Sequence, residues 1–152
     1  MVDLTIEYKH LYPIGEIVDK LTIILLKLQN MENITQEDRK ILWSQADACM
    51  TIIWEDFKRE ATERRAANLL SNLCLQIVSL SNSQAKQWGH ENEIRRFPSK
   101  EAAYAARRQN NERIRIKNQI NKLLGGTKEV DSREMKEYEG EVPQGDYEKE
   151  AK

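Results

Sequence analysis

Polar side chains interrupt an apolar helical face in the middle of the chain. The stripe from Leu73 to Leu80 continues at the same helical spacing into residues of a different type. These are Gln84, Trp88, Glu91 and Arg95. Glu91 and Arg95 carry opposite charges four positions apart, a spacing that brings side chains together on a helix. Either the helix end leaves the core and these charges face water, or they form a half-buried polar site in which Glu91 orients Arg95.

A second apolar face, further along the chain, is interrupted in the same way. Arg113 stands between Ala105 and Ile116 on this face. A charge in a contact between helices is costly unless it is paired. One interpretation is an interhelical salt bridge, with Glu91 or Glu93 as the partner. The other is a guanidinium aimed at an anion, because its planar fork matches phosphate or carboxylate.

Two carboxylates near the start of the chain have a spacing that could hold a metal ion. Glu16 and Asp19 lie three positions apart, so they share one side of a helix and could bind Mg²⁺. Helical nucleotide pyrophosphohydrolases use two such pairs. The candidates for a second pair here are Glu91 and Glu93, which have the wrong spacing for one face, and Glu134 and Glu137 in the tail. The alternative is that the acidic residues complement the positive end of a helix dipole. Mg²⁺ is the one cofactor that the sequence suggests, and only for an enzyme.

The elements that position these residues are helical. From Glu16 to Trp88 the chain has neither Gly nor Pro, and a β-sandwich or barrel needs turn residues about every 8–12 positions. The pattern predicts an all-α bundle of about four helices, two of them long, with a bend or connection within 55–65. The first helix is expected near 14–31 and the fourth near 100–124.

Capping residues mark several helix boundaries. Thr35 with Asp38 predicts the start of the second helix. Pro98 disfavours helix at the residue before it and Ser99 is a good N-cap, so the third helix ends and the fourth begins there. The pair at 125–126, both Gly, stops the fourth helix.

Both ends of the chain depart from the helical pattern. Apolar and polar residues alternate from Val2 to Lys9, which predicts a short strand. Residues 127–152 are acidic and contain Gly and Pro, which predicts an extended or disordered tail. We therefore expect one helical domain at 1–126 followed by an acidic tail.

The first helix is apolar nearly all round, because Ile23, Ile24 and Leu26 fill the faces that its main stripe leaves open. Such a helix is either central in the fold or lies between a core and a second copy of the chain. From this we expect self-association through the first helix.

The net charge of −1 conceals a basic segment. Residues 95–117 carry eight basic and two acidic side chains, which favours an anionic partner. Nucleic acid is not expected, because the charges are spread round a helix and only Phe97 and Tyr104 supply aromatic rings. No apolar run is long enough to span a membrane. The cysteines at 49 and 74 suggest reduced thiols, and hence a cytoplasmic protein.

Three stretches share their pattern with one family. The sequence IGEIVDKLTIIL at 14–25 fits G-E-x-x-D-K-(L/I)-T-I-L, with Ile24 as a departure inside the final run. Residues 88–95 fit W-x-x-E-x-x-(I/L)-R, and NNERIRIKNQIN at 110–121 fits N-(D/N)-x-R-x-x-(I/L)-K-x-x-I-N. In these motifs the chain resembles an uncharacterised family of small helical bacterial or phage proteins, some associated with surface-polysaccharide genes. The resemblance spans 14–126 and implies no activity.

The polar positions that these motifs share include most of those that interrupt the apolar faces. The resemblance therefore implies either a common polar site or a common set of buried salt bridges. The shared positions are Glu16, Asp19, Lys20, Glu91, Arg95, Asn111, Arg113 and Lys117.

The leading hypothesis is a non-enzymatic helical protein that binds or sequesters an anionic small ligand, such as a nucleotide, a nucleotide signal or a sugar phosphate. In it Arg95, Arg113 and Lys117 contact the phosphate, Asp19 and Glu91 orient these cations, and an indole stacks on a base or sugar. The expected ligand-binding residues are Asp19, Lys20, Trp88, Glu91, Arg95, Asn111, Arg113 and Lys117.

Two alternatives belong to other functional classes. One is Mg²⁺-dependent hydrolysis of a nucleotide or nucleotide sugar, with Glu16, Asp19 and Glu91 around the metal. The other is a structural protein–protein adaptor in which every motif charge is used in pairing between helices.

Overall fold

The computed structural model describes residues 3–62 and 65–126, and all regular structure in these two ranges is α-helical. The all-α prediction is therefore confirmed, although the described residues form five helices rather than about four. The additional helix precedes the first predicted one. The helices are α1 (Leu4–Leu11), α2 (Ile14–Asn30), α3 (Gln36–Glu60), α4 (Ala66–Arg96) and α5 (Lys100–Leu123).

The predicted strand at the N-terminus is wrong, because this segment forms α1. The Asp3 side chain caps the helix by accepting a hydrogen bond of 2.9 Å from the Thr5 N–H. Leu4 and Tyr8 belong to the alternating pattern but are also four positions apart, so a helix places them on one face. Tyr8 is buried against the core, and this tertiary contact favours the helix over a lone strand.

The capping signals in the sequence are confirmed. Thr35 Oγ1 accepts from the Asp38 N–H at 3.0 Å, and Ser99 Oγ accepts from the Ala102 N–H at 3.1 Å. Gly125 has a φ of +69°, the left-handed conformation that ends many helices. The Gly126 N–H then donates to the Asn121 carbonyl oxygen at 2.7 Å, which completes a Schellman motif.

Helix α2 is the centre of the described structure. It packs against α3 on one side and against α4 and α5 on the other, while α1 packs on α3. The core takes as many buried residues from α2, where Ile17 and Val18 are almost fully buried, as from α3, and it is completed by residues such as Leu80 and Ile120. The helix is therefore central among the described residues, and its contact with a second copy of the chain stays a prediction.

The direction of the helices follows from three contacts between α2 and α5. Ascending positions in α2 meet descending positions in α5, so these two helices are antiparallel. The pairs are Gly15–Asn121, Glu16–Lys117 and Asp19–Arg113. Because α4 and α5 form an antiparallel pair joined by the short connection at Phe97–Ser99, α4 runs parallel to α2.

Two further predictions concern the C-terminal tail and membrane crossing. The acidic tail at 127–152 lies outside the described residues. Among the described helices, none has the length and apolar character that a membrane crossing requires.

The two cysteines differ in their surroundings, and this gives a first prediction. Cys49 is buried in α3, and burial raises the pKa of its thiol to about 11. With this pKa, about one molecule in a thousand carries the Cys49 thiolate at pH 8, and the thiolate is the form that reacts. Cys74 is exposed on α4. We expect a thiol reagent at pH 8 to label Cys74 in the native protein, and Cys49 only after denaturation. Equal labelling rates in the native protein would contradict this.

Candidate functional site

A buried carboxylate on α2 connects three helices. Asp19 is 1% exposed, in the second turn of α2. Its Oδ1 accepts a hydrogen bond of 2.5 Å from Gln84 Nε2 on α4, and its Oδ2 accepts one of 2.6 Å from Arg113 Nη2 on α5. Arg113 Nε also donates to Oδ1, at 3.3 Å. The carboxylate is thus held by two-point pairing with a guanidinium and by one amide.

Arg113 keeps hydrogen-bonding capacity beyond this pairing. A guanidinium has five N–H donors, and Asp19 takes one from Nε and one from Nη2. Nη1 makes a long contact of 3.5 Å with Asn110 Oδ1. The edge formed by Nη1 and Nη2 therefore retains donors, and the side chain, 16% exposed, lines a surface groove.

The structure decides between partners for Arg113 and corrects one expectation. The guanidinium does form an interhelical salt bridge, but with Asp19 rather than with Glu91 or Glu93. Both glutamates are exposed on α4. A single-helix pattern cannot reveal this partner, because Asp19 lies 94 positions away in the sequence.

A second set of contacts fastens the start of α2 to the end of α5. Lys117 Nζ donates to Glu16 Oε2 at 2.5 Å, and the Gly15 N–H donates to Asn121 Oδ1 at 2.6 Å. A Cβ at Gly15 would lie 2.4 Å from the Lys117 carbonyl oxygen, so the two backbones approach closely at this point. The first and last polar positions of the motifs are therefore in direct contact.

The groove beside Arg113 lies between the C-terminal halves of α2 and α4. Because these helices are parallel and aligned by the Asp19–Gln84 hydrogen bond, their later turns face each other across it. Its volume is about 290 Å³, and Arg113 stands at one end. Its walls are formed by Ile23, Leu26 and Lys27 of α2 and by Gln84, Gln87, Trp88, Glu91, Asn92 and Arg95 of α4.

The charges along the groove are mostly positive. Lys27, Arg95 and Arg113 stand against Glu91, with Asp19 behind the guanidinium. Neither Lys27 nor Arg95 has an ion pair with any residue in the described ranges. These side chains are thus available to an anion in the groove.

Glu91 does not orient Arg95 in the way the spacing suggests. Its Oε1 accepts a hydrogen bond of 3.1 Å from Gln87 Nε2, one turn earlier on α4. Both Glu91 and Arg95 are exposed, so the helix end does leave the core. Trp88, one turn before Glu91 on α4, is half-buried and lines the groove.

Three of the predicted ligand-binding residues lie elsewhere. The Lys20 ammonium is 4.9 Å from the centre of the Tyr8 ring and 5.2 Å from that of Tyr12, so it fastens α1 to α2 by cation–π contacts. Lys117 is buried and paired with Glu16. Asn111 is half-buried on α5 and does not line the groove.

The predicted metal ligands are engaged with cations in the structure. Both oxygens of Asp19 accept from Arg113, and Glu16 accepts from Lys117. Within residues 3–62 and 65–126, no group of three or more His, Cys, Asp or Glu side chains is placed to hold a metal ion. The donor set here therefore fits ion pairing better than Mg²⁺ coordination.

Several residues at the groove, and one that contacts the start of α2, are absent from the sequence-based selection. Gln84 lies on the interrupted stripe, but an uncharged amide gives no sign that it contacts a carboxylate. Gln87 and Lys27 fall outside that stripe and carry no signal of their own. Asn121 closes the third motif, and its position there is the signal that could have identified its contact with Gly15.

Comparison of the chain with protein-family models, with curated proteins and with solved structures gives no match.

Proposed function

We propose that this protein binds an anionic small ligand, such as a nucleotide or a sugar phosphate, in the groove between α2 and α4, without acting as an enzyme. The observation that carries the proposal is the orientation of Arg113. Asp19, which is itself held by Gln84, pairs with the Nε and Nη2 edge of the guanidinium, while donors on Nη1 and Nη2 remain and the side chain lines the groove. A guanidinium fixed in this way loses little entropy when it binds phosphate or carboxylate.

The other groove residues complement this anchor. Arg95 and Lys27 add positive charge further along the groove, and neither has to give up an ion pair within the described residues. Trp88 offers a ring face on which a base or sugar packs. Lys117, which the sequence predicts among the phosphate contacts, pairs with Glu16 away from the groove and is not part of this site.

A structural role is the second candidate, favoured by the Asp19–Arg113 and Glu16–Lys117 pairs, which both join α2 to α5. In an adaptor these charges would only hold the helices in place. The two candidates differ at Arg95, which such a role does not need. Hydrolysis with Mg²⁺ stays a prediction without a supporting contact. Self-association through α2, where Leu25 is 38% exposed, and a cytoplasmic location also stay predictions.

Calorimetry tests the binding proposal. We titrate the protein with nucleoside mono- and diphosphates and hexose phosphates, and expect saturable heat with at least one of them. Arg95→Gln should weaken that binding about tenfold, because it removes a charge-assisted hydrogen bond.

Arg115→Gln is the matched control for this titration. Arg115 is an exposed α5 arginine that pairs with Glu112 outside the groove, so its replacement should leave affinity unchanged. Absence of heat with every compound, while circular dichroism shows the protein folded, would exclude the binding function and favour the adaptor.

A further inference from the structure

Gln87 lines the groove, and one hydrogen bond fixes the way its side-chain amide points. Its Nε2 donates to a carboxylate oxygen of Glu91, which can only accept, so Oε1 must point the other way. Gln87 Oε1 is buried and has no hydrogen-bond donor among the described residues. A buried acceptor without a donor costs free energy, and this cost disappears when a ligand moves aside the groups that cover the oxygen and supplies an N–H or O–H.

This acceptor lies close to the anion anchor. Gln87 follows Gln84 by three residues on α4, about 4.5 Å along the helix axis. Gln84 contacts Asp19, which holds Arg113, so Gln87 is about one turn from the guanidinium along the groove. The Glu91 carboxylate lies one further turn away. Donors for an anion are thus followed by two acceptors along the same wall.

The charge of the groove limits the kind of donor that fits. The three cations of the lining stand against Glu91 and against Asp19, which pairs with Arg113, so the net charge is still positive and an ammonium group on the ligand would add repulsion. A neutral hydroxyl carries no such penalty. The volume of about 290 Å³ is also at the low end of the range of about 300–1,000 Å³ for small-molecule sites, which favours a compact ligand.

We infer, on the basis of the proposed function, that the ligand is a phosphorylated monosaccharide or similar polyol whose hydroxyl donates to Gln87 Oε1 while its phosphate contacts Arg113. The second acceptor, Glu91, is exposed, so a ligand hydroxyl there only replaces water and adds little to the affinity. The Trp88 ring covers the apolar face of the sugar.

Two compounds of similar size separate the hydroxyl contribution from the phosphate contribution. Glucose 6-phosphate carries ring hydroxyls, and cyclohexyl phosphate has a six-membered ring with none. By calorimetry we expect glucose 6-phosphate to bind about fivefold more tightly, the effect of a single satisfied hydrogen bond. Gln87→Met should remove this preference and leave the affinity for cyclohexyl phosphate unchanged, whereas Gln76→Met, on α4 but outside the groove, should keep it.

The outcomes distinguish the inference from the function on which it rests. Equal affinity for the two phosphates in the unmodified protein overturns the inference and leaves anion binding in place. Tighter binding of adenosine monophosphate than of glucose 6-phosphate, unaffected by Gln87→Met, also overturns it. If neither these compounds nor inorganic phosphate binds, both the inference and the proposed function fail. The comparison in the unmodified protein holds even if a variant does not fold.

Discussion

Replacing Arg113 with Met should lower the free energy of unfolding by about 4 kcal/mol, measured by urea denaturation. The substitution leaves the Asp19 side chain, 2% exposed, without its cation and with only the amide of Gln84 as a donor. Removing one partner of a buried ion pair costs more than the pair itself contributes, because an uncompensated charge stays in the interior.

Two further measurements make this prediction specific. In the double variant Asp19→Leu with Arg113→Met the buried charge is gone, so the total loss should be smaller than the sum of the single losses by about 2 kcal/mol. Arg115→Met is the matched control on the same helix, since its pair with Glu112 is exposed and should contribute about 0.5 kcal/mol or less. Equal losses for Arg113→Met and Arg115→Met would show that the Asp19 pair is not a buried one.

The second large effect concerns two glycines that lie within helices. Gly15→Ala should destabilise the protein by about 2 kcal/mol, because the new Cβ would meet the Lys117 carbonyl oxygen at 2.4 Å and force α2 away from α5. The gain of about 1 kcal/mol in helix propensity does not offset a clash with backbone.

Gly89→Ala is the control with the opposite sign. A Cβ at Gly89 meets nothing within 4 Å, so only the gain in propensity, about 1 kcal/mol, remains. We expect the two melting temperatures to shift in opposite directions. Stabilisation by both substitutions would mean that α2 and α5 are further apart at Gly15 than the structure shows.

The sequence predicts the local parts of this fold well because the signals are local. Thr35 and Ser99 satisfy N–H groups within their own first turn, and Gly125 needs only its own backbone freedom. The segment from Leu4 to Leu11 is different. Its spacing suits a strand and a helix alike, and burial of Tyr8 against the core, a contact between distant residues, decides the outcome.

The residues of the candidate site are also predictable from the sequence only where the signal is local. The type and spacing of Trp88, Arg95 and Arg113 indicate an unusual polar region, and the structure brings these three to one groove. The partner of Arg113 depends on how α2 and α5 align, which no pattern within one helix reports. The unmet acceptor of Gln87 is still less predictable, because it depends on the direction in which a single amide points.

The antiparallel contact between α2 and α5 has a consequence for the order in which the chain folds. Its hydrogen bonds join residues 94, 101 and 106 positions apart, so the core helix is synthesised long before its polar partners. Until α5 leaves the ribosome, Asp19 cannot be buried without an unpaired charge, and the earlier helices therefore remain loosely associated. Completion of the fold that residues 3–62 and 65–126 form thus depends on α5.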